Sequence, residues 1–395
     1  MTDLARNLKN AVLDADDIAE LTAWRHELHR HPELSGEEQA TAARIVEMLA
    51  PTAPDRVLTG LGGHGVAAVF EGAGAGPTVL LRADIDALPI EEIGAVAHRS
   101  TVPGKAHLCG HDGHTTIMAG VARWLGRNRP AKGRAILLFQ PAEEDGSGAA
   151  KVLADPRFDE IAPDCALALH NMPGVPLGQA VLAEGIMNCA SRGMKLVLTG
   201  RTAHASQPET GVSPAAAMAR LMPGLTALGR GGSQADRGFS LVTVTHAQIG
   251  EPAFGVAPGR AELWATLRTQ RDAEMAALVA AAEALVAEVA AAEGLAAEIS
   301  WHDVFRHCEN APGATGVLAE ALAAEGIPTT AGDLPMRASE DFGRFGDRAE
   351  AAMFLLGAGE GSPALHNPDY DFPDALIETG ARIFIRTLRG LLYER

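Results

Sequence analysis

Positive charge is in short supply in this sequence: 33 Lys and Arg stand against 50 Asp and Glu, a formal charge of −17. Such a surface repels phosphate backbones and anionic lipid, so neither a nucleic acid nor a membrane is expected as a partner. Long apolar runs are also lacking, and no stretch reads as approaching the ~20 residues of a membrane-spanning helix. The first residues, MTDLARNLKNAVLDADDIAE, are charged and helix-like, without the apolar core or small-residue cleavage site of a signal peptide, which points to the cytoplasm. Cysteine is sparse. Cys109, Cys165, Cys189 and Cys308 follow no framework spacing, which suits a reducing compartment and leaves thiols available as ligands.

Apolar residues are present in ordinary plenty, 47% of 395, with 21% charged. That composition builds a folded core, and the length exceeds what one core accommodates, so two units are expected. From about residue 65 to 170, short apolar runs alternate with helical stretches: GVAAVFEG, TVLLRAD, AILLFQ and CALALH. This is the pattern of parallel strands covered by helices. The last three runs end at Asp84 and Asp86, at Glu143 and Glu144, and at His170. Ligands gather beyond the carboxyl ends of such strands, so these side chains are expected to share one site.

Between about 188 and 304 the order changes to strand (KLVLTG), helix (from about Ser213), two strands (SLVTVTHAQIG and AELWATLRTQ), an Ala-rich helix from Asp272, and a strand (AAEISWH). This reads as a separate α+β unit inserted at 188–304, which splits a mixed-sheet α/β domain into 1–187 and 305–395.

Three segments carry chemistry. CGHDGH at 109–114 places a thiol and an imidazole, Cys109 and His111, in one loop, where both suit a borderline-soft cation; a buried cysteine beside a capping His-Asp pair fits the same letters. QPAEE at 140–144 sets two carboxylates side by side, which fits one ligand and one general base, or a plain surface pair. His170 and His366 each follow a strand, where a histidine is a ligand or a hydrogen-bonded structural residue. Taken together, Cys109, His111, Glu144, His170 and His366 fill the inner shells of two metal ions, leaving Glu143 to accept a proton.

These segments, with HPELSGEE at 31–38, RADIDALPI at 82–90, GRTAHASQPETG at 200–211, SEDF at 339–342 and LHNPDYDF at 365–372, resemble the M20 peptidase and amidohydrolase family. Within it the chain is similar to the branch of aminoacylases, hippurate hydrolases and indole-acetyl-amino-acid hydrolases. The resemblance implies a mixed α/β catalytic domain with helices on both faces, an inserted lid domain that also dimerises, and a two-metal site. It implies Cys109, His111, Glu144, His170 and His366 as ligands and Glu143 as the base. Asp84, Asp86, Asp112 and His114 would brace the ligand loops from behind, with Glu340 and Asp341 behind His366. It further implies that His204 steadies the oxyanion, often from the other subunit of a homodimer, and that Arg268 holds the substrate carboxylate.

Two departures stand out: Gly255 occupies a position where much of the family has Asn, and Ala106-His107-Leu108-Cys109 replaces Met-His-Ala-Cys. His29 and His31 read as structural. The implied reaction is hydrolysis of small N-acyl amino acids with two divalent ions per subunit. Zinc or manganese fit best, with cobalt and nickel as alternatives. A dipeptidase, an N-carbamoyl amino acid hydrolase and a non-catalytic metal- or ligand-binding module are the competing readings.

Overall fold

The computed structural model describes residues 12–393; the first part of the helix-like N-terminal stretch lies outside them. Two helices, α1 (Ala15–Arg30) and α2 (Gln39–Leu49), lead into β1 (Arg56–Leu61), β2 (Gly65–Glu71) and β3 (Thr78–Asp84). Next come α3 (His111–Arg127), β4 (Arg134–Gln140), α4 (Gly148–Ala154), β5 (Cys165–Pro173), β6 (Ala180–Val181) and β7 (Gly185–Asn188). The middle of the chain holds β8 (Ala190–Thr199), β9 (Ala203–His204), α5 (Ala215–Leu228), β10 (Ser240–Ile249), β11 (Val256–Ala257), β12 (Arg260–Thr269), α6 (Asp272–Ala292) and β13 (Ala296–Phe305). It closes with β14 (Cys308–Asn310), α7 (Pro312–Ala324), β15 (Thr329–Thr330), β16 (Glu350–Gly359) and α8 (Ala375–Leu392).

The described chain forms two compact units. The second comprises Ile186–Cys308 together with Asp333–Glu340, and the first holds the rest. The short segment Asp333–Glu340 is not where a boundary at 305 would put it, because backbone bonds bind it elsewhere: Met336 N donates to Met187 O at 2.7 Å and Cys189 N to Met336 O at 3.0 Å. No periodicity marks that exchange in the sequence.

In the first unit eight strands run in the order β1-β2-β4-β3-β5-β16-β6-β15. The central ladders β4-β3-β5-β16 are parallel. Buried on both sides, these strands read as apolar runs, with Arg82 inside β3 the charged exception. The sheet is mixed, however, since β2 pairs antiparallel with both β1 and β4. The parallel reading of GVAAVFEG is thus corrected: β1 and β2 are joined by a tight turn around Gly62 and Gly63, both at positive φ, which forces an antiparallel return. Helices α3, α7 and α8 share one core with the sheet, in which Ile117, Val121, Leu318, Phe354, Ile377 and Phe384 are buried.

The second unit is a four-stranded antiparallel sheet, β10-β12-β8-β13. Along β12, Ala261, Leu263, Ala265 and Leu267 alternate with more exposed neighbours, and the buried set packs with Met218, Leu221 and Leu225 of α5 and Leu278, Ala282 and Val286 of α6. Helix α6 corrects the expectation of no long apolar run, for it is the one described helix long and apolar enough to cross a membrane. Its length comes from alanine, and the face carrying Met275, Leu278, Ala282, Val286 and Val289 is buried in the unit's core while Glu283 and Glu288 are exposed. A two-stranded ribbon, β9 with β11, sets His204 opposite Val256.

Candidate metal centre

The loop before α3, the turn after β4, the end of β5 and the loop after β16 meet in the first unit. Gly110 starts α3 at φ +89, and a Cβ there would come within 2.3 Å of the Asn171 side chain, so only glycine lets this loop approach β5. That approach puts Cys109 Sγ 3.5 Å from His170 Nε2. Glu144 lies between two histidines, with Oε1 3.7 Å from His111 Nε2 and Oε2 3.5 Å from His366 Nε2. His366 itself stands at φ +66, and its N–H donates to Leu108 O at 2.8 Å, fastening the C-terminal loop to the Cys109 loop.

The tautomers follow from the neighbours. His111 Nδ1 donates to Asp86 O at 3.0 Å, and His170 Nδ1 donates to Asn171 O at 2.7 Å. In each ring Nε2 is therefore the nitrogen left to face the cluster, the arrangement in which a backbone carbonyl orients a metal-binding imidazole. His111 Nε2 and Glu144 Oε1 are buried with no hydrogen-bond partner among the described residues. Buried polar atoms without partners are costly, and a cation between them removes the cost.

Spacing agrees with this. Two donors on one tetrahedral cation, with metal–nitrogen near 2.1 Å and metal–sulfur about 2.3 Å, stand about 3.4–3.6 Å apart. The ligand atoms of Cys109, His111 and His170 all lie within 4.8 Å of one another, as do those of Cys109, Glu144 and His366, and those of His111, Glu143 and Glu144. Cys109, His111 and Glu144 each belong to two of these triads, so the donors form overlapping sets rather than one ring.

The charges of the side chains point the same way. Burial alone would disfavour charged His111, but Asp84, Asp86 and Glu144 outweigh it and push the ring up to about 10. Burial pushes Glu144 up to about 7, against the pull of His111, and the Cys109 thiol well up, aided by Glu144, Glu143 and Asp84. Burial, together with His114, drives His170 down to about 3. Beyond burial, the His111 and Cys109 shifts share one source, the crowding of Asp84, Asp86, Glu143 and Glu144 around the two side chains, and a cation that displaced the protons would balance that negative charge.

Behind the donors lies a buried polar floor. Asp86 Oδ2 accepts from Glu144 N at 3.0 Å and from Ser35 Oγ at 2.7 Å. Asp84 Oδ1 is 2.6 Å from His114 Nδ1, whose other nitrogen meets Asn171, and Asn171 in turn donates to the Tyr370 hydroxyl. Asp112 Oδ2 pairs with His29 Nδ1 at 2.9 Å and with Arg25 at 3.7 Å. The expectation for Asp341 needs correction: its carboxylate accepts from Arg82 Nη2 at 2.7 Å, from Gln140 Nε2 at 2.8 Å and from Ala149 N at 2.8 Å, so it braces the β3–β4 floor and not His366. Its neighbour Glu340 ends the segment that belongs to the second unit. Glu143 is buried, with Oε1 3.4 Å from Asp341 N.

Sequence reasoning passed over Arg82, Gln140, Asn171 and Tyr370. The detectable signal was Arg82, a full charge inside the apolar run TVLLRAD that required a buried counter-charge. Among the residues of the second unit, His204 Nδ1 accepts from Ser206 N at 3.1 Å, which leaves its neutral-ring proton on Nε2. Arg268 Nη1 donates to Arg337 O at 2.7 Å and Ser339 Oγ at 3.0 Å.

The chain is similar to known proteins. Residues 80–390 match the model of peptidase family M20/M25/M40. The chain is 32% identical over 385 residues to an N-acetyl-L-cysteine deacetylase of Bacillus subtilis, an alignment spanning 94% of this chain and 88% of that one. It is 32% identical over 273 residues to the IAA-amino acid hydrolase ILR1-like 5 of Arabidopsis thaliana, covering 68% of this chain and 60% of that one. A crystal structure from Bacillus subtilis, described as a dinuclear metal binding peptidase from the M20 family, superposes with a TM-score of 0.80 at 27% identity, covering 97% of this chain and 100% of the other. With a family match over most of its length, the chain belongs to peptidase family M20/M25/M40 and is a hydrolase of the metal-dependent kind.

Proposed function

We propose that the chain hydrolyses the amide bond of small N-acyl amino acids at a pair of divalent cations held by Cys109, His111, Glu144, His170 and His366. The observation that carries this reading is the convergence of those five side chains, with the Nδ1 atoms of His111 and His170 committed to carbonyls and their Nε2 atoms turned inward. Zinc and manganese both suit a mixed thiolate, imidazole and carboxylate set. When bound, such cations supply Lewis acidity and lower the pKa of water from its bulk value toward neutrality.

The protein's residues do the rest. Glu143, next to the donor Glu144 and with a carboxylate oxygen within 4.8 Å of the His111 and Glu144 ligand atoms, accepts the proton from water as its oxygen adds to the amide carbonyl. His204, its proton on Nε2, donates to the oxyanion. Glu143 then passes its proton to the departing nitrogen as the C–N bond breaks, leaving a carboxylate and a free amino acid. Arg268 receives the substrate carboxylate, the task that suits a guanidinium fork.

The second unit serves as lid and dimerisation element. Support comes from its ribbon: Ala205 N donates to Gly255 O at 3.0 Å beside Phe254, which is 108% exposed, and an exposed large apolar side chain next to a functional histidine suits a surface covered by a second copy of the chain.

The test is a panel of N-acetyl, N-carbamoyl and dipeptide substrates with the remetallated protein and its Glu143→Ala variant. N-acyl substrates are expected to turn over fastest, with Glu143→Ala losing turnover and keeping its metal. Full activity of Glu143→Ala would refute the assigned base, and preference for dipeptides would refute the substrate class.

A further inference from the structure

The segment His31–Glu38 has no step in the hydrolysis above, yet its side chains end at the site. Ser35 holds Asp86, whose Oδ2 also takes the Glu144 N–H. Glu38 is fully buried and accepts through Oε1 from Gly36 N at 2.9 Å and from Ala142 N at 2.8 Å. Ala142 immediately precedes Glu143 and stands at φ +54, a left-handed conformation that a residue with a Cβ keeps only when its surroundings hold it there. Its carbonyl accepts from Gly148 N at 2.9 Å, so this residue is gripped at both ends, by Glu38 on the N–H and by Gly148 on the C=O.

We propose that Glu38 is a positioning residue that locks the left-handed Ala142 turn through the Ala142 N–H and thereby fixes where the Glu143 carboxylate points. The inference rests on Glu143 being the proton acceptor. Without the Glu38 carboxylate, Ala142 relaxes toward negative φ, and the peptide plane leading into Glu143 rotates with it. A displacement of the acting group by an ångström costs about 100-fold in rate. Glu144 is tied separately, through its own N–H to Asp86, so the metal donors stay in place and the loss falls on kcat alone.

Steady-state kinetics on the metal-loaded full chain with an N-acetyl amino acid, with metal content measured alongside, decide the matter. Glu38→Ala is expected to lower kcat about 10–100-fold, with KM and metal content close to wild type. Glu38→Gln keeps the Oε1 acceptor and puts its amide nitrogen where Oε2 has no hydrogen-bond partner among the described residues, so it is expected within about threefold of wild type. Glycine adopts the left-handed turn without strain, so adding Ala142→Gly to Glu38→Ala is expected to recover at least about fivefold. Should Glu38→Ala not fold, Glu38→Asp, which withdraws the carboxylate from Ala142, is read by the same rescue. Wild-type kcat in Glu38→Ala, a Gln variant as slow as the Ala variant, or no rescue by Ala142→Gly would each overturn the proposal. Glu143→Gln run in parallel separates the two ideas: if it is inactive while Glu38→Ala keeps wild-type kcat, only the positioning role fails, and if it is fully active, the reading of Glu143 fails.

Discussion

Arg82 shows how much a single residue carries. It is buried inside β3, with Nη1 on Asp84 at 2.6 Å, Nη2 on Asp341 at 2.7 Å and Nε on Gln140 at 3.0 Å. Replacing it by methionine leaves two buried carboxylates without their cation, and the expected loss is about 3–5 kcal/mol in urea unfolding. An unchanged midpoint would show that the floor is not built on this pair. The need for a partner was legible in TVLLRAD, but its identity was not, since Asp341 lies 259 positions away and nothing local announces it. His29 was legible as structural, and its chemistry gives a pH dependence. Burial opposes its charge, yet Asp112 and Glu92 outweigh burial and hold it at about 9, above the ordinary 6.5, with Arg25 pushing the other way. A folded-state value above the unfolded one stabilises fully below about pH 6.5, and that stability is lost as pH rises through 9. Thermal midpoints should therefore fall between pH 6.5 and 9 for the wild type, with a flatter profile for His29→Gln. Parallel profiles for the two proteins would contradict this.

At the scale of elements, the strands that end at the site were the easiest to read. Strands β3, β4 and β5 are largely buried on both faces, so their sequences are apolar runs, interrupted in β3 by Arg82, that stop at Asp84, at Gln140 before the two glutamates, and at His170, three residues before β5 ends. Strand β1 was not legible: four of its six residues are exposed, and an edge strand carries little hydrophobic pattern. The direction of β2 was lost for a related reason, because a buried run reads the same in parallel and antiparallel ladders. In the second unit the alternation along β12 marks the helix-facing side, and Leu263→Ala there should cost about 2–5 kcal/mol. Because the five donor residues belong to the first unit, metal content should not change in that variant. Loss of metal on Leu263→Ala would mean that the units do not bear their loads separately.

Over the whole molecule, the proposed ligand set comes from positions 109 to 366, so the chain must fold before these side chains meet. A cation that binds only the folded arrangement stabilises it by mass action, about 2.7 kcal/mol at a hundred times its dissociation constant. Chelation is therefore expected to lower the thermal midpoint and readdition of metal to restore it; a midpoint indifferent to chelator would argue against the site. The proposed ligands were legible as candidates because Cys109 and His111 sit at the start of α3, Glu144 just after β4 and His170 near the end of β5, whereas substrate preference was not, since pocket walls carry no motif. The most direct measurement is anomalous diffraction from crystals of the zinc- or manganese-loaded protein. Two peaks are predicted, with Cys109 Sγ, His111 Nε2, a Glu144 oxygen, His170 Nε2 and His366 Nε2 each about 2.0–2.3 Å from one of them. Full occupancy of metal elsewhere, with no peak among these five side chains, would contradict it.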